Sequence, residues 1–243
     1  SAYAATDTFG AENVWGTGYE AVYHLEEKAA GTGNANLYQD ATSNNRDADD
    51  EVDSTGKTGF LGQGQEIRAR DSVNDDYILF PSANVNGFNE QTFSFWMQST
   101  QGGDQALVNG GAGNDYLLFL TNSGNTLQLF DGSSVSEGLD VDVTPTTPTW
   151  RYVTVARDST NNEWRIFIDG VEDSNGPVAR TLSSMSLPAD CLLMGLEQDG
   201  SCLSSGDNTQ HLDALVDEIR FQSVVPSTAE VAANYRNQFD PTS

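Results

Sequence analysis

Lysine is almost missing from this chain. It occurs only at Lys28 and Lys57, and Lys and Arg together number 11 against 36 Asp and Glu. At a formal net charge of −25 there is no basic face to neutralise phosphates, which argues against nucleic acid as a partner. The same deficit removes attraction to an anionic membrane surface. No apolar run approaches the ~20 residues of a membrane-spanning helix, so no membrane insertion is expected. No signal peptide is present, and Ser1 is expected to follow a cleavage or an excision. Acidity of this kind suits a secreted protein in salty, calcium-containing water, with plain solubility as the alternative.

Histidine is equally scarce, at His24 and His211 alone, and no glycine-x-serine-x-glycine elbow accompanies them. The glutamate-x-aspartate-x-x-glutamate strand that would flank a glycosidic bond with two carboxylates is missing. Glu137-Gly138-Leu139-Asp140 lacks the spacing. Residues 56–64 are glycine-rich but have no phosphate-loop order and no following helix, so they read as a loop. The chain does not read as an enzyme. Cysteine occurs twice, at Cys191 and Cys202, with Gly195 and Gly200 between them able to close a hairpin. A disulfide is expected there, two free buried thiols being the alternative.

What the chain does have is 23 glycines, 37% apolar and 9% aromatic residues in 243 positions. A folded chain of that length buries roughly 70–75% of its unfolded surface. Short period-two segments recur: 21–25, 65–68, 76–80, 92–97, 106–109, 115–120, 126–130, 150–157, 163–169, 192–194 and 212–221. Phe93, Phe95 and Met97 share one face, as do Trp164, Ile166 and Ile168, and as do Val153 and Val155. Residues 115–120 and 126–130 form a hairpin across Asn122-Ser123-Gly124-Asn125, and Asp169-Gly170 is a tight turn. The acidic run Asp49-Asp50-Glu51 reads as solvated loop, His24 as a structural residue on the first strand, and Trp15 as a packed anchor.

The chain is organised around its end. In Val216-Asp217-Glu218-Ile219-Arg220-Phe221, alternation sets Val216, Glu218 and Arg220 against Asp217, Ile219 and Phe221. Ser227 with Glu230 spells a capping box, and Val231, Ala232 and Tyr235 form the apolar stripe of a short helix. That helix must dock on a sheet. The expected fold is all-β, a two-sheet antiparallel jelly-roll sandwich with one short C-terminal helix. It forms a single domain over residues 1–243, with 1–19 a lead-in packed across it.

Five segments in order carry a resemblance to the laminin-G-like, concanavalin A-like jelly rolls of secreted microbial proteins. They are 21–25 with 40–45, 76–78, 92–96, 149–153 with 166–170, and 216–235. The resemblance implies one calcium ion between an early loop and the last strand, carried over to Asp40, Asn44, Asn45, Asp47 and Asp217. Ser43 and Arg46 depart from the family's pattern. Calcium takes ~6–8 oxygens from carboxylates, amides and carbonyls, which suits these residue types. The fold hosts lectins, hydrolases, lyases and adhesive spacers alike. The expected function is a non-catalytic, calcium-stabilised, extracellular carbohydrate-binding module of a larger protein, with a structural or adhesive domain as the alternative. The glycan-binding residues read from the sequence are Asn114, Asp115 and Tyr116, which follow a glycine loop, and a neutral glycan suits the charge.

Overall fold

The computed structural model describes residues 14–240, except 30–31, 54, 69–75, 100–104, 112–115, 122–125, 132–133, 141–147, 175, 180–181, 183, 190 and 199–209. Between 116 and 140 the strands are described by backbone alone, apart from Leu127.

The strands in chain order are β1 (Tyr19–Tyr23), β2 (Asn34–Tyr38), β3 (Ala48–Glu51), β4 (Lys57–Thr58), β5 (Gln63–Ile67), β6 (Tyr77–Phe80), β7 (Glu90–Gln98), β8 (Gln105–Gly110) and β9 (Tyr116–Thr121). They continue as β10 (Thr126–Asp131), β11 (Ser134–Asp140), β12 (Arg151–Asp158), β13 (Glu163–Ile168), β14 (Val171–Glu172), β15 (Val178–Ala179), β16 (Leu192–Met194) and β17 (Ala214–Gln222). One helix, α1 (Thr228–Phe239), follows. The first sheet runs β14-β13-β12-β7-β17-β5-β4, with β1 also on β17 and β15 on β13. The second runs β11-β10-β9-β8-β16-β6-β3-β2. The described pairings are antiparallel, and the 121/126 hairpin forms as the sequence requires.

Register explains the core. Phe93 on β7 lies opposite Val155 on β12 and Phe221 on β17, and Val155 lies opposite Ile166 on β13. This row is buried, as are Phe95 and Met97. Leu107, Val108, Leu192, Met194, Ile78 and Phe80 face it from the second sheet in the same apolar cluster. Each fully buried side chain of this size contributes about 1.5–3 kcal/mol.

The acidic run differs from expectation: it forms β3. Asp50 is fully buried because its carboxylate is matched by donors. Tyr38 donates at 2.8 Å, Asn34 at 3.0 Å and the Val52 N–H at 2.9 Å. A buried carboxylate persists only with such partners. Residues 137–140, which carry no strand signature, pair as β11 through backbone bonds to β10.

On the outer face of the first sheet α1 docks as its stripe predicts. Both halves of the capping box form, between Ser227 and Glu230. Tyr235 packs 5.7 Å from Trp96, whose Nε1 donates to Gln238 at 2.9 Å. Arg165 on β13 grips Glu172 through two bonds and donates to Thr228 Oγ1, fixing the helix start. Gly170 is required twice over. Its φ is +77°, and a Cβ there would meet Tyr235 Cβ at 3.0 Å and Ala232 Cα at 3.1 Å.

Candidate functional site

Alternation along the last strand fails at its centre. On the outer face Asp217 lies opposite Trp96, and the next register pair is Arg220 with Ser94. Three steps on β17 therefore match two on β7, a β-bulge. Glu218 absorbs the extra residue at φ +53°. The bulge overturns the period-two reading. Val216, Ile219 and Phe221 share the core, while Asp217 and Arg220 turn to the other face. Leu25, beside the end of β1, also takes a positive φ of +57°. Non-glycine residues in this region store about 1–3 kcal/mol each, and such strain gathers at functional positions.

Between these two strained residues a closed set of contacts forms. His24 Nδ1 and Glu218 Oε1 lie 2.6 Å apart. The other oxygen of Glu218 accepts from Arg220 at 2.8 Å. The Arg220 guanidinium stacks 4.9 Å from the Trp15 ring centre, and Trp15 returns to within 6.0 Å of the His24 ring at a 41° tilt. Tyr19 flanks Trp15 at 5.1 Å. Glu218 and Arg220 are buried, whereas the His24 side chain is 42% exposed. Gln65 reinforces the exit of β1 by donating to the carbonyls of Leu25 and Glu27.

The electrostatics follow. The hydrogen bond to Glu218 raises the His24 pKa, with burial opposing it. Burial pushes Glu218 up, but His24 and Arg220 outweigh it and hold this carboxyl below its usual range. The contacts along His24–Glu218–Arg220 therefore shift each of the three groups toward its charged form. Beside it Asp217 behaves oppositely: burial pushes its carboxyl up to about 7, against the N–H donors of Leu61 and Glu218. Leu61 donates to it at 2.8 Å, and Phe60 of the same turn stacks at 3.5 Å on Trp96.

The five residues of the expected calcium site are not brought together. Asp40 is buried, and both its oxygens are taken by donors: Val22 N–H and Thr42 N–H on one, the Thr42 hydroxyl and Arg46 N–H on the other. Asp47 accepts from the Asp40 N–H. Asn44 donates to the Tyr19 and Glu20 carbonyls, and Asn45 to Ser43. Asp217 belongs to the 59–62 turn, and no hydrogen bond or ion pair links it to Asp40. Asp40 oxygens already taken by four donors do not fit an ion between that loop and Asp217. Among the described residues no group of three or more His, Cys, Asp or Glu side chains is placed to hold a metal.

Of the expected glycan residues, Asn114 and Asp115 lie outside the described residues. Tyr116 opens β9 opposite Gly110, in the register row of Leu192 and Phe80. Cys191 is buried and no free cysteine occurs among the described residues, while Cys202 lies outside them. The cluster around His24 escapes sequence reading because the bulge that creates it leaves no mark in residue type. Its one signal in the sequence is the opposite-charge pair Glu218 and Arg220, two apart on a strand that also carries Val216, Ile219 and Phe221.

Comparison with known proteins agrees with this architecture. The sequence profile described as the Concanavalin A-like lectin/glucanases superfamily, of laminin-G type, matches residues 70–232. The match spans more than half of the chain, and the chain belongs to this family. No curated protein matches it in sequence. The chain is similar in structure to the botulinum neurotoxin type C protein whose cell entry depends on interaction with two ganglioside molecules. There the TM-score is 0.62 at 12% identity, over 88% of this chain and 51% of that one. It is similar to domain 4 of AbnA, a GH43 extracellular arabinanase of Geobacillus stearothermophilus, in complex with arabinotriose. That TM-score is 0.59 at 17% identity, over 89% and 97%. It is similar to Trypanosoma rangeli sialidase at TM-score 0.61 and 10% identity, over 90% and 32%. The chain spans about half the length of the neurotoxin chains it matches. At these identities the likeness is one of fold.

Proposed function

We propose that this chain is a non-catalytic, lectin-like carbohydrate-binding module that works outside the cell as part of a larger protein. The observation that carries the reading is the exposed edge of His24 beside the half-buried Trp15 ring, both locked from behind by Glu218 and Arg220. A sugar stacks an apolar face on an aromatic ring and bonds to a fixed polar group at its rim. Rigid backing limits the entropy lost on binding. Two structural relatives whose descriptions name sugars, one with arabinotriose and one with gangliosides, support a glycan as ligand. The absence of any helix long and apolar enough to cross a membrane, among the described residues, accords with this setting.

Catalysis is disfavoured by the state of the carboxyls. A glycoside hydrolase needs an acid held protonated near neutral pH and open to substrate. His24 and Arg220 hold the Glu218 carboxyl below its usual range, away from the protonated form, and Asp217, whose carboxyl is raised to about 7, is fully buried. The test is a glycan array with the intact chain, Trp15→Ala and Tyr116→Ala. Binding lost in Trp15→Ala alone supports this site. Binding lost in Tyr116→Ala alone moves the site to the 114–116 rim. A blank array with the intact chain favours the structural or adhesive reading.

Calcium stays in the proposal only as a ligand of the early loop around Asp47, where it would add stability rather than touch sugar. A melting temperature that chelator leaves unchanged removes it. A Cys191–Cys202 disulfide is part of the same extracellular reading, and unreduced peptide mapping that finds both thiols free removes that too.

A further inference from the structure

Resting on the glycan reading of the Trp15–His24 site, we propose that its ligand is an N-acetylated sugar whose acetamido group is gripped by His24. Three features of the site converge on that group. The first is the direction of the donor. His24 Nδ1 is fixed on Glu218 at 2.6 Å, and Nε2 has no hydrogen-bond partner among the described residues while the side chain is 42% exposed. In its protonated form, which the bond to Glu218 favours, the imidazole presents an N–H there and no acceptor. It therefore prefers a ligand atom that only accepts, such as a carbonyl oxygen, over a hydroxyl.

The second is charge. The charged groups acting on His24 are Glu218 and Arg220 from β17 and Glu26 from the exit of β1. With His24 protonated, two cations and two carboxylates leave the mouth without net charge, in a chain that carries −25 overall. A carboxylate sugar would meet the repulsion of the whole molecule, whereas an acetamido group offers a carbonyl acceptor at no charge. Glu26 is exposed and accepts only, which matches the acetamido N–H. The third is the Trp15 ring beside the imidazole, an apolar face against which the acetyl methyl packs. Carbonyl, N–H and methyl thus each have a counterpart.

Two-dimensional NMR titration of the full chain, with the methyl glycosides of N-acetylglucosamine, N-acetylgalactosamine, glucose and galactose at pH 5.5 and pH 8.5, tests this. One or both N-acetyl glycosides should bind at least about tenfold tighter than the parent hexoses, because a site built to bond a group rejects the analogue that lacks it. That preference should shrink about tenfold at pH 8.5 as His24 loses its proton, a step whose midpoint Glu218 moves upward. His24→Phe should remove both the preference and the pH effect, and Trp15→Ala, outside the apolar core, should lose binding with the fold intact. Equal binding of hexoses and N-acetyl sugars, sensitive to Trp15→Ala, overturns the acetamido proposal and leaves the glycan reading standing. A pH-independent preference overturns the role of His24. Failure of all four glycosides, together with a blank glycan array, overturns both.

Discussion

Replacing Asp217 with asparagine should change how stability depends on pH more than it changes stability itself. Asp217 is fully buried on the outer face of β17, under the 59–62 turn. Its carboxyl is pushed up to about 7, burial being the leading cause and the Leu61 and Glu218 N–H groups opposing it. Unfolded, it titrates near 4. Between those values the native state binds more protons than the unfolded state, so stability falls as pH rises through this window and levels off above it. The full difference is roughly 4 kcal/mol, and relaxation of the turn will lower it. Asparagine keeps one acceptor and sets an NH2 against a backbone donor, costing about 1–3 kcal/mol at every pH. The variant should therefore be the less stable protein at pH 4.5 and should close the gap, or overtake the wild type, at pH 7.5. Urea unfolding followed by tryptophan fluorescence at several pH values reads this directly. Repulsion from the net charge, and the His24 contribution that is lost as pH rises above about 6.5, occur in both proteins and cancel in the difference. A wild-type minus variant gap that stays constant across the window would refute the burial argument.

Two further outcomes follow from the fold. Ser227→Ala should lose about 1 kcal/mol and lower the melting temperature, since it removes the hydroxyl that accepts from the Glu230 N–H and donates to the Glu230 carboxylate, leaving only the Ser227 N–H half of the capping box. An unchanged melt would show that Arg165 and Tyr235 hold the helix without its cap. Tyr38→Phe should cost about 1–3 kcal/mol by stripping a donor from the buried Asp50, although it deletes one oxygen only; denaturant midpoints with unchanged slope would confirm it.

The core was legible because it obeys simple periods. The shared faces of Phe93 with Phe95 and Met97, and of Trp164 with Ile166, survive in the structure, since both strands are regular and bury one side against the second sheet. The helix was legible because its cap and stripe are local. What sequence could not show depends on long-range partners. Asp50 looks like a solvated charge until Tyr38 and Asn34 supply its donors. The bulge at Glu218 shifts every later side chain by one, so the alternation that reads correctly at Phe221 fails at Val216. The surroundings of the metal set implied by family likeness were hidden for the same reason: spacing suggests oxygens, but only the fold shows that N–H and hydroxyl donors already occupy those of Asp40. His24 reads as a lone structural histidine until a residue 194 positions away meets it.

The central claim is that a sugar sits on Trp15 beside His24. The most direct measurement follows the indole N–H resonances of the four tryptophans during titration with the glycan that binds best. With a sugar on Trp15, its signal should move in a saturable way while those of the buried Trp96 and Trp164 stay still. A saturable binding curve that leaves Trp15 unmoved would contradict it.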